Sequence, residues 1–381
     1  MNVRRTALRQ HSAGPAVLLL LVACQACAES PALDAFWRIP EDAIRIPVDT
    51  ALPNLPRLDQ AEREELERAR RRLLAMRPLW SVGAVDGEVH ERWAFPSSAV
   101  TDRAGNIYVL DRFLTEVRVF APDGQFMGST LRAGDGPLEM RTPLGVTMIP
   151  GDTLLVYAHD RIQLVTGGPT SFEQVGEITA RSSVTAVCQA DRNIVTRVAP
   201  FDRAGTVRVL DRAGEELNWY GSMFDHSRDD VSALFSMGGL GCAGPYVSTY
   251  FDNMPLLYGY HGATGEKLWT AFLEDFTFPE VQLHDGGGIG RNSKGPEDMV
   301  LGMFGVGEGL FIVQINRIGP ASEENGRQRR QVYRRDTYVV LAASGSGAYV
   351  GEGLPHIIGV SADGIQAITG EVAPAVTTFA W

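Results

Sequence analysis

Residues 95–128 read FPSSAVTDRAGNIYVLDRFLTEVRVFAPDGQFMG. Short β-branched and aromatic runs alternate here with turn-forming residues, which is the pattern of short antiparallel strands. Gly105-Asn106 and Asp123-Gly124 each supply a tight turn, because these residues tolerate a positive φ. The stretch therefore predicts four consecutive strands, each of which returns beside the one before it.

Weaker copies of this unit follow along the chain. Six copies begin near residues 96, 143, 184, 237, 304 and 357, so the spacings are 47, 41, 53, 67 and 53 residues. One four-stranded propeller blade takes about 40–50 residues, and the longer spacings leave room for insertions. We therefore predict an all-β fold, a six-bladed β-propeller of four-stranded antiparallel blades over residues 79–381.

The last copy has only three strands before the chain ends at Trp381. The segment 79–82, which reads LWSV, lies just upstream of the first copy and has no partner of its own. If it supplies the missing fourth strand, the ring closes and no sheet edge stays open at the seam. We expect closure by this N-terminal strand.

Residues 95–124 are similar to the NHL repeat, in the order Phe-Pro, Asp-x-x-Gly-Asn-Ile-Tyr-Val, Val-x-Val-Phe and Pro-Asp-Gly. The chain as a whole resembles bacterial exported six-bladed propellers of the NHL or TolB-like type. The resemblance is sharp in the first copy, moderate in the second and a matter of pattern in the rest. It implies a fold, and since such propellers include binding modules, scaffolds and enzymes, it does not imply one function.

The first 23 residues have the pattern of a secretory signal. Arginines precede the apolar run 16–23, which is far shorter than the ~20 residues of a membrane-spanning helix. The run ends in Leu21-Val22-Ala23-Cys24, which resembles the lipobox of bacterial lipoproteins and implies lipidation of Cys24. The next residue is Gln25 rather than Asp, which in that family implies outer-membrane sorting. The alternative is cleavage after Ala28, which would release a periplasmic or secreted protein.

Two segments separate the signal from the predicted propeller. Residues 24–56 are rich in proline and irregular, as is typical of a tether. In residues 57–78, Asp59 and Glu62 form a capping pair, and apolar residues recur at helical spacing until Pro78. We therefore predict one amphipathic helix directly before the propeller.

Acidic residues outnumber basic ones 46 to 35, and the formal net charge is -11. A surface of this charge repels polyanions, so the composition argues against a nucleic-acid partner. Beyond the N-terminal pair, the cysteines are Cys188 and Cys242, at similar places in neighbouring copies. In an oxidising compartment such a pair is more often a disulfide than a metal site. We predict a covalent link between adjacent blades, with two separate buried thiols as the alternative.

No catalytic motif of high specificity stands in the sequence. Some six-bladed propellers hold a divalent cation in the central channel, and Asp111, Asp160 and Asp252 are weak candidates for such a site. Each of these acids can instead close the turn after a second strand. The histidines do not recur at one position of the repeat, which disfavours a zinc site. We predict no cofactor, and the binding of a divalent cation remains an open alternative.

The loop between Arg317 and Asp336 carries an arginine cluster. Guanidinium groups suit carboxylates and phosphates, so the cluster is a candidate site for an acidic partner or a polyanionic glycan. The alternative is an exposed hairpin whose charges face water. The candidate partner-binding residues are Arg327, Arg329, Arg330 and Arg334.

These observations favour a binding module anchored at the bacterial cell envelope. A propeller presents many loops around a central funnel and requires no buried reactive pair. Its expected partners are an envelope protein or a small ligand, and the membrane through the lipid anchor. Two alternatives remain: a metal-dependent hydrolase or lyase that uses the central channel, and a structural component of an envelope complex.

Overall fold

Six four-stranded antiparallel sheets, each built from consecutive stretches of chain, make up most of the structure. The computed structural model of the chain describes residues 39–48, 58–168, 171–199, 205–283, 289–292, 294–324, 327–370 and 373–381. Within these residues the order of strands in each sheet is sequential, apart from the additions noted below. The predicted propeller blades are therefore present.

The first three blades follow the sequence prediction closely. Their twelve strands, in chain order, are β3 (Pro96–Thr101), β4 (Ile107–Asp111), β5 (Glu116–Phe120) and β6 (Phe126–Thr130) in blade 1, β7 (Gly145–Ile149), β8 (Thr153–Tyr157), β9 (Arg161–Thr166) and β10 (Glu173–Thr179) in blade 2, and β11 (Val184–Ala190), β12 (Asn193–Val198), β13 (Val207–Leu210) and β14 (Glu216–Tyr220) in blade 3.

The remaining blades carry longer connections. Their strands are β15 (Leu240–Ala243), β16 (Tyr246–Phe251), β17 (Met254–His261) and β18 (Lys267–Leu273) in blade 4, β21 (Glu297–Val306), β22 (Leu310–Ile318), β25 (Val332–Leu341) and β26 (Gly347–Glu352) in blade 5, and β27 (His356–Val360), β28 (Gly364–Thr369), β29 (Ala375–Ala380) and β2 (Arg77–Val82) in blade 6.

The seam of the ring closes as predicted. The N-terminal strand β2 pairs antiparallel with β29, with Trp80 opposite Thr378. The hydroxyl groups of Ser81 and Thr377 are 2.8 Å apart across this pair. The innermost strands also contact one another in a cycle, β3, β7, β11, β15, β21, β27 and again β3. The fold is a closed six-bladed propeller.

Each junction between neighbouring blades has its own apolar core. Tyr108 and Leu110 of blade 1, for example, pack with Val146 and Val156 of blade 2. Alternate side chains of a strand point to opposite faces of its sheet, so apolar residues on both faces let every blade pack against two neighbours. Five further clusters fill the other five junctions in the same way.

The segment before the propeller departs from the prediction in two places. The helix, α1 (Gln60–Leu74), has the expected capping box between Asp59 and Glu62, but it ends before Pro78, which lies in β2. Within the expected tether, β1 (Ile44–Ile46) forms a strand that pairs parallel with β18 and extends blade 4. Its Ile46 is fully buried between blades 4 and 5, and this apolar side chain fixes a segment that its prolines suggested to be irregular.

Insertions account for the other elements. A short helix, α2 (Asp229–Phe235), precedes blade 4, and the hairpin β19 (Glu280–Leu283) with β20 (Ile289–Asn292) precedes blade 5. A second hairpin, β23 (Ser322–Glu324) with β24 (Arg327–Arg329), connects β22 to β25. Blade 5 begins at Glu297, seven residues before the predicted start at 304, because its inner strand is ten residues long.

In every blade, the connections from the second strand to the third, and from one blade to the next, lie at the same end of the sheet. This follows because consecutive strands are antiparallel. We call this end of the propeller the upper face. The opposite end, which carries the turns from the first strand to the second, is the lower face.

Candidate ligand site in the axial channel

The six innermost strands surround a cavity of about 620 Å³ on the axis of the ring. Ligand pockets in proteins usually measure about 300–1,000 Å³. Strands β3, β7, β11, β15, β21 and β27 all contribute wall residues, so the cavity belongs to the whole ring and not to one blade.

Glycines let the inner strands of neighbouring blades approach one another closely. A Cβ atom at Gly359 of blade 6 would overlap the backbone of Ala99 in blade 1. A Cβ atom at Gly305 of blade 5 would overlap the carbonyl of Cys242 in blade 4. Glycine within a strand often marks such an approach of two backbones. These contacts set the diameter of the channel.

Three long polar side chains reach the cavity from the upper ends of second strands. Tyr157 is the last residue of β8, Tyr250 is the fifth residue of β16, and Arg112 directly follows β4. His356 is the first residue of the inner strand β27 and lines the same cavity. Because first strands begin and second strands end at the upper face, the four side chains lie toward this end of the channel.

The two tyrosines are placed by the same device in different blades. A Cβ atom at Gly145 would overlap the phenol oxygen of Tyr157, and a Cβ atom at Gly239 would overlap that of Tyr250. In both blades the aromatic ring of the tyrosine therefore lies across a glycine. Gly145 is the first residue of the inner strand β7, and Gly239 directly precedes the inner strand β15. A side chain at that glycine would displace the phenol from the channel wall.

Burial sets the protonation of these groups. It raises the pKa of Tyr157 to about 12, against the opposing effects of the Val187 N–H and the Arg112 charge. Burial, and secondarily the charge of Asp252, also raises the pKa of Tyr250. Burial and then the charge of Arg335 lower the pKa of His356 to about 4. At neutral pH the channel thus presents two phenol donors and a neutral imidazole.

The described wall of the cavity contains arginine but no carboxylate. Its polar side chains are hydroxyls, phenols, an amide, the imidazole of His356 and the guanidinium of Arg112. Toward the lower face the wall carries the apolar side chains of Met148, Phe304 and Val360, late in their inner strands, together with the amide of Gln189 in β11. The described wall therefore offers one guanidinium and several hydrogen-bond donors but no acidic side chain, in a protein whose formal net charge is -11.

The disulfide expected between adjacent blades lies in this wall. Cys188 of β11 and Cys242 of β15 are bonded, with their Cα atoms 5.8 Å apart, and both line the cavity. The junction of blades 3 and 4 has the smallest of the six described core clusters, with five buried residues. The covalent link thus adds to the apolar packing of this junction, where the ring of Tyr220 in blade 3 also lies 5.2 Å from that of Tyr260 in blade 4, measured between centroids.

The three candidate metal ligands do not come together. The Asp111 carboxylate, fully buried, accepts hydrogen bonds from the backbone N–H groups of Ala94, Phe95, Phe113 and Leu114. Asp160 is exposed in the turn after β8, and Asp252 follows β16 on another blade. No group of three or more His, Cys, Asp or Glu side chains suited to a metal occurs among the described residues.

The arginine cluster is largely engaged within the protein. Arg330 pairs with the buried carboxylate of Glu297 and donates to the carbonyl of Gly295 at 2.9 Å. Arg334 contacts Asp336 at 3.0 Å and Glu352 at 3.7 Å. Arg329 lies in β24 and is exposed, and Arg327 begins that strand. Two of the four candidate guanidinium groups therefore stabilise the base of the blade 5 hairpin.

The lipidation candidate Cys24 lies outside the described residues. No helix in the part of the chain that the structure describes is both long and apolar enough to cross a membrane.

The residues at the upper end of the channel are not among the sequence-predicted site residues. Arg112, Tyr157 and Tyr250 lie at or next to the end of a second strand, each opposite the start of the inner strand of its own blade. An alignment of the six copies on that position would have brought them together. His356 begins an inner strand, and this place in the repeat is the signal by which the sequence could have identified it.

No family model matches the sequence, and no curated protein is significantly similar to it. Among solved structures, the chain is similar to a candidate exported protein of Bacteroides fragilis, with a TM-score of 0.54 and 11% identity, over 88% of this chain and 98% of that one. A DUF4221-family protein of Bacteroides vulgatus gives a TM-score of 0.46 and 10% identity, over 80% and 97%. Virginiamycin B lyase of Staphylococcus aureus gives 0.42 and 9%, over 79% and 98%.

These likenesses show the fold alone. The identities are far too low to carry a function from one chain to another, and only the first TM-score exceeds 0.5. The chain is a six-bladed propeller, and its candidate site rests on its own residues.

Proposed function

We propose that the protein is an exported binding module that takes a small organic ligand in its axial channel. The observation that supports this most directly is the cavity of about 620 Å³, lined by all six inner strands and by long polar side chains at its upper end. In ligand pockets, precisely placed polar groups fix the orientation of the ligand and provide specificity. The rigid ring of blades holds these groups without any need for a closing domain.

The proposal is tested by filling the channel. Thr147 lines the cavity on the inner strand β7, whereas Thr179 is exposed on the outer strand β10 of the same blade. Thr147→Trp and Thr179→Trp are therefore matched variants, one inside the channel and one outside it. A panel of metabolites is screened by the rise in Tm that a bound ligand causes. We expect the hits to be lost in Thr147→Trp and retained in Thr179→Trp, whereas hits retained in both variants contradict the proposal.

The alternative of a metal-dependent hydrolase or lyase has less support. Divalent cations such as Ca²⁺ and Mg²⁺ take carboxylate and carbonyl oxygens. No carboxylate side chain lines the described wall of the cavity, and the buried carboxylate of Asp111 is engaged by backbone N–H groups. Metal analysis of the purified, dialysed protein tests this alternative directly, and stoichiometric metal would favour it.

The cellular location is a separate proposal. The signal-like N-terminus supports export, and the lipobox-like run 21–24 supports an anchor at Cys24 in the outer membrane. Mass spectrometry of the mature N-terminus distinguishes a diacylated Cys24 from a chain that begins at Glu29. The second result would make the protein periplasmic or secreted and would leave the ligand proposal unchanged.

The remaining alternative is a structural role in an envelope complex. Capture of the tagged protein from its own envelope, followed by analysis of bound proteins and of extracted small molecules, separates this role from ligand binding. The NHL-like character, sharp in residues 95–124 and moderate in the second copy, also stays a proposal, because no family model matches the sequence.

A further inference from the structure

We propose that the channel selects small organic acids, with the ligand carboxylate held at the upper face by Arg112 and Tyr157 and its apolar body lower in the channel. This inference rests on the proposed function and names the class of ligand for the same site. It is carried by the distribution of charge, donors and apolar surface along the cavity.

Arg112 lines the cavity with a guanidinium group that is not paired with an acid among the described residues. The neighbouring carboxylate of Asp111 is engaged by the N–H groups of Phe113 and Leu114 and by the 94–95 loop. A guanidinium that has no acidic partner among the described residues is available to a carboxylate from outside.

The backbone that carries Arg112 is held in place. Its N–H donates to the carbonyl of Phe95 at 3.0 Å, and the Phe95 N–H donates to the Asp111 carboxylate at 3.1 Å. Two loops of the upper face, residues 94–95 and 112–114, are thus joined through one buried acid. A ligand that meets Arg112 meets a fixed backbone, which lowers the entropy lost on binding.

Phenol donors adjoin the guanidinium. The charge of Arg112 is close enough to Tyr157 to influence its titration, and Tyr157 in turn influences Tyr250. Both hydroxyls stay protonated at neutral pH and can donate to a carboxylate oxygen. In the inner strand of blade 1, the blade that also carries Arg112, the buried hydroxyl of Ser97 has no hydrogen-bond partner within the described residues, although Ser97 lines the cavity.

The rest of the wall fits an apolar body. Phe95 lies at the upper face beside Arg112, and Met148, Phe304 and Val360 lie toward the lower face. The cavity wall described here offers no acidic side chain to an ammonium group. An organic acid with an aryl or alkyl body satisfies both regions, whereas an amine would place its charge beside a guanidinium.

The test compares three probes that differ only in the polar head: 4-phenylbutyrate, its amide 4-phenylbutanamide, and 4-phenylbutylamine. Affinities are measured by isothermal titration calorimetry or by ligand-observed NMR, at millimolar concentration where binding is weak. The variants are Arg112→Gln and the control Arg103→Gln. Arg103 is an exposed arginine of the same blade, in the turn at the lower face, so both variants lose the same formal charge.

We expect the acid to bind about ten-fold more tightly than the amide, and the amine to bind most weakly. Arg112→Gln should remove this preference for the acid, whereas Arg103→Gln should preserve it. Circular dichroism and Tm establish that both variants are folded.

Three outcomes overturn the inference, and they separate it from the proposed function. Equal affinity for acid and amide, with both lost in Thr147→Trp, leaves the channel as a binding site but not as an anion site. Equal loss of acid binding in Arg112→Gln and Arg103→Gln points to general electrostatics. The third outcome concerns the site itself. Absence of binding by all three probes contradicts the anion site and leaves the proposed function standing. Binding that Thr147→Trp does not affect contradicts both the anion site and the proposed function.

Discussion

The side-chain amide of Gln314 in blade 5 holds the backbone on both sides of His356 in blade 6. It donates to the carbonyl of Pro355 at 3.0 Å and accepts from the N–H of Ile357 at 2.9 Å. Gln314 is fully buried, and its amide is also 3.2 Å from the hydroxyl of Thr337. One side chain thus crosses the junction of two blades and fixes the strand that presents the channel imidazole.

Protonation of His356 should reduce the stability of the fold. Its pKa is lowered to about 4 in the folded protein, from an ordinary value of 6.5, by burial and by Arg335. The unfolded chain therefore binds a proton more readily, so stability is complete above pH 6.5 and is lost as the pH falls from there toward 4. Between pH 7.5 and pH 5 this group should remove about 2 kcal/mol from the free energy of unfolding.

The variant His356→Gln isolates this effect, because glutamine keeps a polar side chain and does not titrate. Urea unfolding at several pH values gives the free energy of unfolding of both proteins. The wild type should lose about 2 kcal/mol more than the variant over that pH interval. Equal losses would show that the folded imidazole titrates normally.

Much of the fold could be predicted because propeller blades repeat a local pattern. The turns at Gly105 and Asp123 and the alternation in β5 are features of neighbouring residues, and so is the capping box at Asp59. The seam could also be predicted, since β2 was an unpaired strand and blade 6 lacked one.

The channel site could not be predicted in the same way. Arg112, Tyr157 and His356 come from three blades, and they become neighbours only when the ring closes. The strand β1 was missed for a related reason. Its three residues carry too little pattern to identify a strand, and Ile46 is fixed by packing between blades 4 and 5. In the arginine cluster, the pairing of Arg330 with Glu297 could not be predicted from neighbouring residues, because the two are 33 positions apart in sequence.

Reduction of the bond between Cys188 and Cys242 should destabilise the protein considerably. The two residues are 54 positions apart in sequence. For a closed loop of about this length, the loss of chain entropy in the unfolded state contributes about 4 kcal/mol. Urea unfolding with and without a reductant measures the difference.

The control is the double variant Cys188→Ala/Cys242→Ala, in which the reductant should have no effect. A chain that starts at Glu29 lacks the other two cysteines, so it should show no free thiol when denatured without reduction. Two titratable thiols in that experiment would contradict the disulfide.

Replacement of Asp111 should loosen the upper face of blade 1. Its carboxylate accepts N–H groups from two loops, at 2.7 Å from Ala94 and 3.0 Å from Leu114 among others. Asp111→Ala leaves these donors without their acceptor, and we expect a loss of about 3 kcal/mol. Hydrogen exchange of the Phe113 and Leu114 amides should become faster.

A matched control is Asp123→Ala, which removes an exposed aspartate from a turn of the same blade. Its carboxylate accepts one N–H, from Gln125 at 3.0 Å, so the expected loss is only about 0.5–1 kcal/mol. Similar losses in the two variants would mean that the buried carboxylate does not hold the loops together.

The buried ion network of blade 5 supports a prediction with a defined pH dependence. The side chain of Arg317 is only 3% exposed; it contacts Asp298, and its Nε donates to Asp336 at 2.6 Å. Arg317→Met would leave two buried carboxylates without their shared cation, at a loss of about 3–5 kcal/mol. Arg334→Met, at an arginine that is 35% exposed and touches the same Asp336, should lose about 1 kcal/mol.

The pH dependence of the Arg317→Met loss follows from burial. Burial already raises the pKa of Asp298 in the wild type, and removal of Arg317 should raise the pKa of this acid further. A carboxyl whose folded pKa lies above its unfolded value stabilises the protein at low pH and loses that contribution as the pH rises. The stability gap between wild type and Arg317→Met, measured by urea unfolding, should therefore be smaller at pH 5 than at pH 7. The pH-dependent contribution of His356 is the same in both proteins, so it cancels in this difference. A difference in stability that is constant, or larger at pH 5, would show that the carboxylates do not depend on Arg317 for their charge.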